Sequence, residues 1–275
     1  MFVSPMLLHK IDHPFDDDKY ITELKLDGIR LILSKFNNTI KLYTRYNNEV
    51  TSMFPELLNL DIPDGTMLDG EIIVTDIYGR PDFEAMMERF QSRRSEHKIQ
   101  YCVFDMIYFK GEKLTLSLIE RKELLDSVLK QTETVVKVQW MYGHAEAYYD
   151  VVKQKELEGI VLKKASSKYQ INKRSKDWLK VINYQYKDVF VTGLRKDKFG
   201  LLLAVEENGH LKPGGIMEFM VPEAKKVFYK QYQDLIKEEN KKFIFLEPKI
   251  KCRVKFRNFT KAGLLRLPSF VEYKF

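Results

Sequence analysis

The segment Lys25-Leu26-Asp27-Gly28-Ile29-Arg30 places an amine nucleophile, a tight-turn dipeptide and an anion-binding arginine within six residues. An amine attacks only when neutral, and with an ordinary lysine pKa near 10.4 that costs roughly 4 kcal/mol at neutral pH. Neighbouring cations, a divalent metal or burial lower the cost, whereas a carboxylate packed on the ammonium raises it. The cations available for such a pocket are Arg30, Arg45, Arg174 and Lys180. Together with Lys25 they would surround a triphosphate, arginine gripping phosphate oxygens with two donors and lysine acting as a point charge. Glu71, in Leu68-Asp69-Gly70-Glu71, and Glu158, in Glu158-Gly159-Ile160-Val161-Leu162-Lys163, are hard oxygen ligands. They suit magnesium held jointly with substrate phosphates. Phe104, closing the run Tyr101-Cys102-Val103-Phe104, could stack on a base or simply fill the core. No Gly-x-x-x-x-Gly-Lys-Ser/Thr loop is present, so side chains must grip the phosphate. A plain structural reading also exists: Asp-Gly between Tyr20-Ile21-Thr22-Glu23-Leu24 and Ile29-Arg30-Leu31-Ile32-Leu33 is a hairpin signal. It would leave Lys25 on a solvated strand, with Arg30 one rung away.

Positioning these side chains requires a mixed framework. Apolar runs at 19–26, 29–35, 39–45, 67–74, 99–109, 134–141, 158–164 and 177–182 predict strands. Phe83, Met86, Met87 and Phe90 lie at helical spacing behind an Asp82 N-cap. Ser117 and Glu120 form a capping box for a helix over 118–129, and a third helix is predicted over 144–157. After Asn183-Tyr184-Gln185-Tyr186-Lys187 short strands are predicted at 188–195, 199–205, 216–221 and 250–256, with one helix over about 222–238. That pattern predicts a small five-stranded oligonucleotide-binding barrel. The expected fold class is therefore α+β, with a first domain over 1–185 and an OB-fold over 186–275.

The 275 residues carry a net charge of +7, unevenly spread. Residues 241–275 hold ten Lys or Arg against Glu247 and Glu272, a net +8, so the rest of the chain sums to −1. A basic module beside a neutral one is expected where one part grips a polyanion and the other does chemistry. Two cysteines, Cys102 and Cys252, make neither a disulfide framework nor a four-ligand zinc site. With no signal peptide or membrane-spanning run, a reducing cytoplasmic location and no membrane partner are expected.

Taken in order, Lys25 to Arg30, Thr44-Arg45, Leu68 to Glu71, Phe104-Asp105, Glu158 to Lys163 and Trp178 to Lys180 resemble the nucleotidyltransferase motifs of ATP-dependent DNA ligases. The ending Cys252 to Arg257 followed by Gly263-Leu264-Leu265-Arg266-Leu267-Pro268-Ser269-Phe270 is similar to the barrel domain of bacterial ligases of this class, so the resemblance covers nearly the whole chain. It is strongest to the minimal two-domain ligases of bacteria, prophages and phages, and to the ligase module of bacterial end-joining enzymes. The resemblance implies a nucleotidyltransferase (adenylation) domain over 1–185, ATP as co-substrate and magnesium, or manganese in its place, as metal. It implies nicked double-stranded DNA as substrate and a monomer. Lys25 would form a lysyl-adenylate, pass AMP to the 5′-phosphate at a nick, and leave the 3′-hydroxyl to displace AMP. Arg30 and Arg45 would bind sugar and phosphate, Glu71 the ribose or metal, and Glu158 the metal. Phe104 would stack on adenine beside Glu23, while Arg174 and Lys180 would hold phosphates. Arg45, Arg253, Lys255, Arg257, Lys261 and Arg266 are the expected DNA contacts. A swing about the Asn183–Lys187 connection is also expected.

One position departs from the family pattern. A second lysine commonly stands two residues after the one matching Lys180, and here that residue is Ile182. Lys163 or Lys164 could replace the lost phosphate contact, although strand alternation puts Lys163 and Glu158 on opposite faces unless a bulge intervenes. Competing readings are an RNA ligase or GTP-dependent capping-type enzyme of the same covalent class, and a catalytically silent nucleic-acid-binding protein. The Leu-Arg-Leu-Pro-Ser-Phe ending argues against the former, and intact Lys25, Glu71 and Glu158 against the latter.

Overall fold

The strands on either side of the Lys25 segment belong to different sheets and form no hairpin. The computed structural model describes residues 1–92 and 94–274, and the chain divides into two compact units, Met1–Asn183 and Tyr184–Phe275. The first unit contains β1 (Leu7–Lys10), β2 (Tyr20–Leu24), β3 (Ile29–Phe36), β4 (Thr39–Thr44), β5 (Thr66–Val74), α1 (Phe83–Gln91), β6 (Ile99–Phe109) and β7 (Glu112–Lys113). It continues through α2 (Leu118–Val128), β8 (Val135–Lys137), β9 (Trp140–Tyr142), α3 (Ala145–Gln154), β10 (Gly159–Lys164) and β11 (Arg174–Ile182). One sheet has the order β1-β11-β10-β2-β9, and the other β4-β3-β5-β6-β7 with β8 beside β6.

β2 pairs with β10 and β9, whereas β3 pairs with β4 and β5. The Asp27-Gly28 step therefore carries the chain from one sheet to the other, and Arg30 is not a rung neighbour of Lys25. The reason for glycine at position 28 is proximity: an added Cβ would lie 2.2 Å from the Ile72 carbonyl oxygen and 2.7 Å from Ile73 Cγ2. The turn itself uses no left-handed backbone there.

Alternation with period two then sorts side chains between layers. In β3, Leu31 and Leu33 enter the core shared with Met86 of α1 and Leu125 of α2, while Ile32 enters the layer between the sheets with Ile21, Met67, Ile107 and Trp178. In β10 and β11, Ile160, Leu162, Leu179 and Val181 pack with Ala145 and Val152 of α3. Val161, Lys163, Trp178 and Lys180 consequently occupy the opposite face.

The helix starts follow their caps: Asp82 accepts from the Ala85 amide at 2.9 Å, and Ser117 and Glu120 close the capping box of α2. Other expectations need correction. The helix predicted over 144–157 ends at Gln154, because the chain reverses through Glu156 with φ of +54°. The strand predicted over 134–141 is two pieces, β8 on one sheet and β9 on the other. β1, short and not predicted, adds parallel to β11.

The second unit contains β12 (Gln185–Arg195), β13 (Leu201–Glu207), β14 (His210–Met217), α4 (Pro222–Gln231), β15 (Ile236–Glu239), β16 (Phe243–Phe256) and β17 (Ser269–Lys274). Its sheet has six strands where five were expected, in the order β14-β13-β12-β16-β15 with β17 also paired to β16. The 14-residue β16 accommodates all three neighbours. Val189, Val191, Leu203, Phe228, Cys252, Val254 and Phe256 form its core. The strand predicted over 216–221 lies earlier, because Asn208-Gly209 (φ +51° and +77°) makes a two-residue hairpin that pairs Glu207 with His210. The helix predicted over 222–238 stops at Gln231, and Ile236–Glu239 instead forms a strand. Asn240 turns that strand into β16 by accepting from the Lys242 and Phe243 amides, both at 2.8 Å.

Candidate active site

Lys25 lies immediately beyond β2, where its amide donates to the Gly159 carbonyl at 3.0 Å. Its Nζ donates to Glu158 Oε2 at 2.7 Å. A pocket with about 400 Å³ of empty space, its open mouth included, lies beside this pair. That falls within the range of roughly 300–1,000 Å³ usual for small-molecule sites. β2 and its exit supply Glu23 and Lys25, β3 supplies Arg30, β5 Glu71, β6 Phe104, β10 Val161 and Lys163, and β11 Trp178.

Glu158 and Lys163 serve one site despite their odd spacing. Glu158 precedes β10, and Gly159 adopts φ of +150°, which breaks strand alternation at that point. An added Cβ at Gly159 would also lie 2.1 Å from the Val181 carbonyl oxygen. Lys163 is 2% exposed, with Nζ 2.7 Å from Glu23 Oε2, 4.2 Å from the Phe104 ring centre and 4.3 Å from that of Trp178. Burial pushes its pKa down to about 8, Lys122 adds to the fall, and Glu23 opposes it. Burial alone would raise the Glu23 carboxyl, but Lys122 and Lys163 outweigh it and hold it below its ordinary value.

Arg30 is fixed from behind. Its Nε and Nη2 donate to the two oxygens of Asp69, each at 2.6 Å, and Nη2 also donates to the Met6 carbonyl at 3.1 Å. Asp69 is fully buried and accepts from Tyr169 Oη at 2.5 Å as well. Burial disfavours the Arg30 charge, yet Asp69 prevails and raises its pKa. The guanidinium lies 4.7 Å from the Phe104 ring centre, so one cation and one aromatic wall are mutually braced. Burial pushes the Glu71 carboxyl up to about 7 against the pull of Lys25 and Arg30, with Glu158 and Asp69 adding to the rise.

Other sequence candidates lie outside this lining. Arg45 is exposed and stacks on the Tyr46 ring at 4.5 Å. Arg174, also exposed, donates to the Leu8 carbonyl. Lys180 faces Val161 in the strand register, and Ile182 faces Gly159, on the same strand side as Trp178 and 5% exposed. Among the described residues no group of three His, Cys, Asp or Glu could hold a metal. In the second unit Arg253 and Lys255 alternate with buried Cys252, Val254 and Phe256, which puts both on the outer side of β16, and Arg257 directly follows the last residue of that strand. Lys255 and Arg257 lie 5.0 and 5.2 Å from the Tyr184 ring, and Arg253 lies 5.8 Å from Tyr186. Lys261 is exposed, and Arg266 reaches Asn258 Oδ1 at 3.3 Å.

Asp69, Arg121, Lys122 and Tyr169 brace the site without having been singled out as site residues from sequence. A usable signal existed for two of them. Leu118, Arg121, Lys122 and Leu125 are the inward stripe of α2, and finding cations at two of four normally apolar positions implies buried anionic partners.

Residues 5–181 match the family model of the ATP dependent DNA ligase domain. The chain is 54% identical over 275 residues, spanning all of both chains, to the SPbeta prophage-derived DNA ligase-like protein LigB of Bacillus subtilis. It is 29% identical to the bifunctional non-homologous end joining protein LigD of Bacillus subtilis, covering 92% of this chain and 46% of that one. Among solved structures it is similar to mycobacterial DNA ligase D complexed with ATP and MES, with a TM-score of 0.61 and 23% identity over 99% of this chain and 95% of that one. A structure of Lig E DNA ligases matches with a TM-score of 0.68 and 18% identity over 98% and 99% of the two chains. These two likenesses speak to the fold, an α+β nucleotidyltransferase architecture joined to an OB-fold. With a family model over most of its length and a full-length relative at 54% identity, the chain belongs to the ATP-dependent DNA ligase family.

Proposed function

We propose that this protein seals nicks bearing 5′-phosphate and 3′-hydroxyl ends in duplex DNA, with ATP as co-substrate and Lys25 as the covalent carrier of AMP. The observation that carries this reading is Lys25 Nζ at the edge of a pocket walled by Phe104, with Glu158 Oε2 2.7 Å away. The Lys25 ammonium passes its proton toward Glu158, and the neutral amine attacks the α-phosphorus. A P–N bond forms, the P–O bond to pyrophosphate breaks, and pyrophosphate leaves. Arg30, held by Asp69, supplies fixed positive charge inside the pocket, where preorganised charge is worth more than in water, and Lys163, beside Phe104 and Trp178, belongs to the wall that binds the nucleotide. An oxygen of the DNA 5′-phosphate next attacks the same phosphorus, which frees Lys25. The 3′-hydroxyl finally attacks the 5′-phosphorus and AMP departs.

The donor chemistry fits a magnesium ion. Glu71 and Glu158 offer hard oxygens, and the raised Glu71 carboxyl marks a place where a cation would be welcome. When bound, the ion would polarise the phosphoryl group under attack. Arg45 of the first unit and Arg253, Lys255, Arg257, Lys261 and Arg266 of the second are assigned to DNA phosphates, and Arg174 and Lys180 to nucleotide phosphates.

Incubation with ATP labelled at the α-phosphate tests the reading. Label should stay on the denatured protein, leave on treatment with pyrophosphate, and be absent from Lys25→Ala. Labelling by GTP alone, or nick sealing by Lys25→Ala, would overturn it.

A further inference from the structure

Helix α2 holds Phe104-Asp105 with two buried cations. Arg121 donates to both Asp105 oxygens at 2.7 and 2.8 Å and to the carbonyls of Leu116 and Ser167 at 2.9 and 3.0 Å. Lys122, only 3% exposed, donates to the Phe104 carbonyl at 3.1 Å and forms an ion pair with Glu23 Oε1. A buried ammonium is costly unless several partners compensate it, and a helix that merely packed on β6 would need only another leucine there. Lys122 itself does not line the pocket, yet Glu23 and Phe104 both do.

We propose that Lys122 is a positioning residue for the nucleotide base, a role that rests on the pocket above being the ATP site. From behind the wall it ties β2 to β6 and sets the Phe104 ring relative to Glu23. It also orients Lys163. With Oε1 of Glu23 held by Lys122, Oε2 is directed at Lys163 Nζ, which is thereby kept between Phe104 and Trp178. Removing the Lys122 cation frees Glu23 to turn, releases Lys163, and loosens the wall on which the base would rest. The Lys25–Glu158 pair has no part in this network, so binding should suffer and the bond-making step should not.

Single-turnover self-adenylation across ATP concentrations tests the role in the intact protein. Lys122→Met should raise the KM for ATP about tenfold, the scale of one lost charge-assisted hydrogen bond. The rate at saturating ATP should stay within about threefold of wild type. Lys122→Arg keeps the charge and should recover most of the KM. Preference for ATP over ITP, whose base carries a six-oxo group and an N1–H in place of a six-amino group and an unprotonated N1, should shrink in Lys122→Met. Wild-type KM and wild-type preference in Lys122→Met would overturn the proposal, and so would a tenfold loss in a stably folded Lys122→Arg. Phe104→Leu separates the two claims. An unchanged KM there removes the reading of the pocket as an ATP site. A raised KM there beside an unchanged one in Lys122→Met removes only the role of Lys122.

Discussion

Lys25 meets a carboxylate where its chemistry calls for cations, and the geometry accommodates both. Glu158 Oε2 orients the amine and gives its proton a destination, while Arg30 and Lys163 stand in the same pocket without touching Nζ. Glu158→Gln should therefore slow self-adenylation by about 10²- to 10⁴-fold, the usual worth of a positioned proton acceptor, in a labelled-AMP assay. Lys163 gives a second expectation at this scale. Its pKa falls from the ordinary lysine value to about 8, so between pH 8 and roughly 10.4 the unfolded chain binds the proton that the folded one has released. This group's contribution to stability must then rise with pH across that window. Melting temperatures of wild type and Lys163→Met, compared from pH 7 to 10, should show wild type gaining on the variant as pH increases.

At the scale of elements, two glycines set the site by letting backbones approach. Gly159, at φ of +150° and facing the Val181 carbonyl, turns Glu158 toward Lys25 just before β10 begins. Gly28 lets the chain cross between sheets over the Ile72 carbonyl. Gly159→Ala should cost about 2 kcal/mol or more in denaturant unfolding, because it adds a steric clash to a strained backbone. Gly28→Ala should also destabilise, through the clash alone. α2 contributes differently: its capping box fixes where the helix starts, and hence that Arg121 and Lys122 face Asp105 and Phe104. Loss of the cap in Ser117→Ala should cost about 1 kcal/mol.

At the scale of the molecule, charge is partitioned. The last 35 residues carry most of the positive excess; strand alternation in β16 turns Arg253 and Lys255 outward beside Tyr186 and Tyr184, and Arg257, just past the strand, also lies beside Tyr184. Phosphate contacts release counterions, so affinity for nicked duplex should fall steeply between low and moderate salt. Replacing the three residues by glutamine should flatten the slope of log affinity against log salt by about three, with little dependence on DNA sequence. An unchanged slope would remove these residues from the DNA contact.

Much of this was legible in order along the chain. Polar residues that cap helices, such as Asp82 and Ser117 with Glu120, act on amides three residues away, so sequence alone determined where α1 and α2 begin. Apolar periodicity likewise marked β3, β5, β6 and β10, and motif order pointed to Lys25, Glu71, Phe104 and Glu158. The Asn208-Gly209 turn was equally local, yet the weaker apolar texture of β14 hid its partner strand. Partners between sheets were not legible. Tyr20–Leu24 and Ile29–Phe36 read as a hairpin because adjacent alternating strands joined by Asp-Gly usually are one. Only packing of Ile21 and Ile32 into the layer between the sheets, and the close pass of Gly28 over β5, sends them to different sheets. The same holds for Glu23 with Lys122 and Lys163, and for Arg30 with Asp69. Burial makes each charge depend on a few compensating partners, and which partners are near depends on contacts from 39 to 140 positions apart that no local pattern encodes.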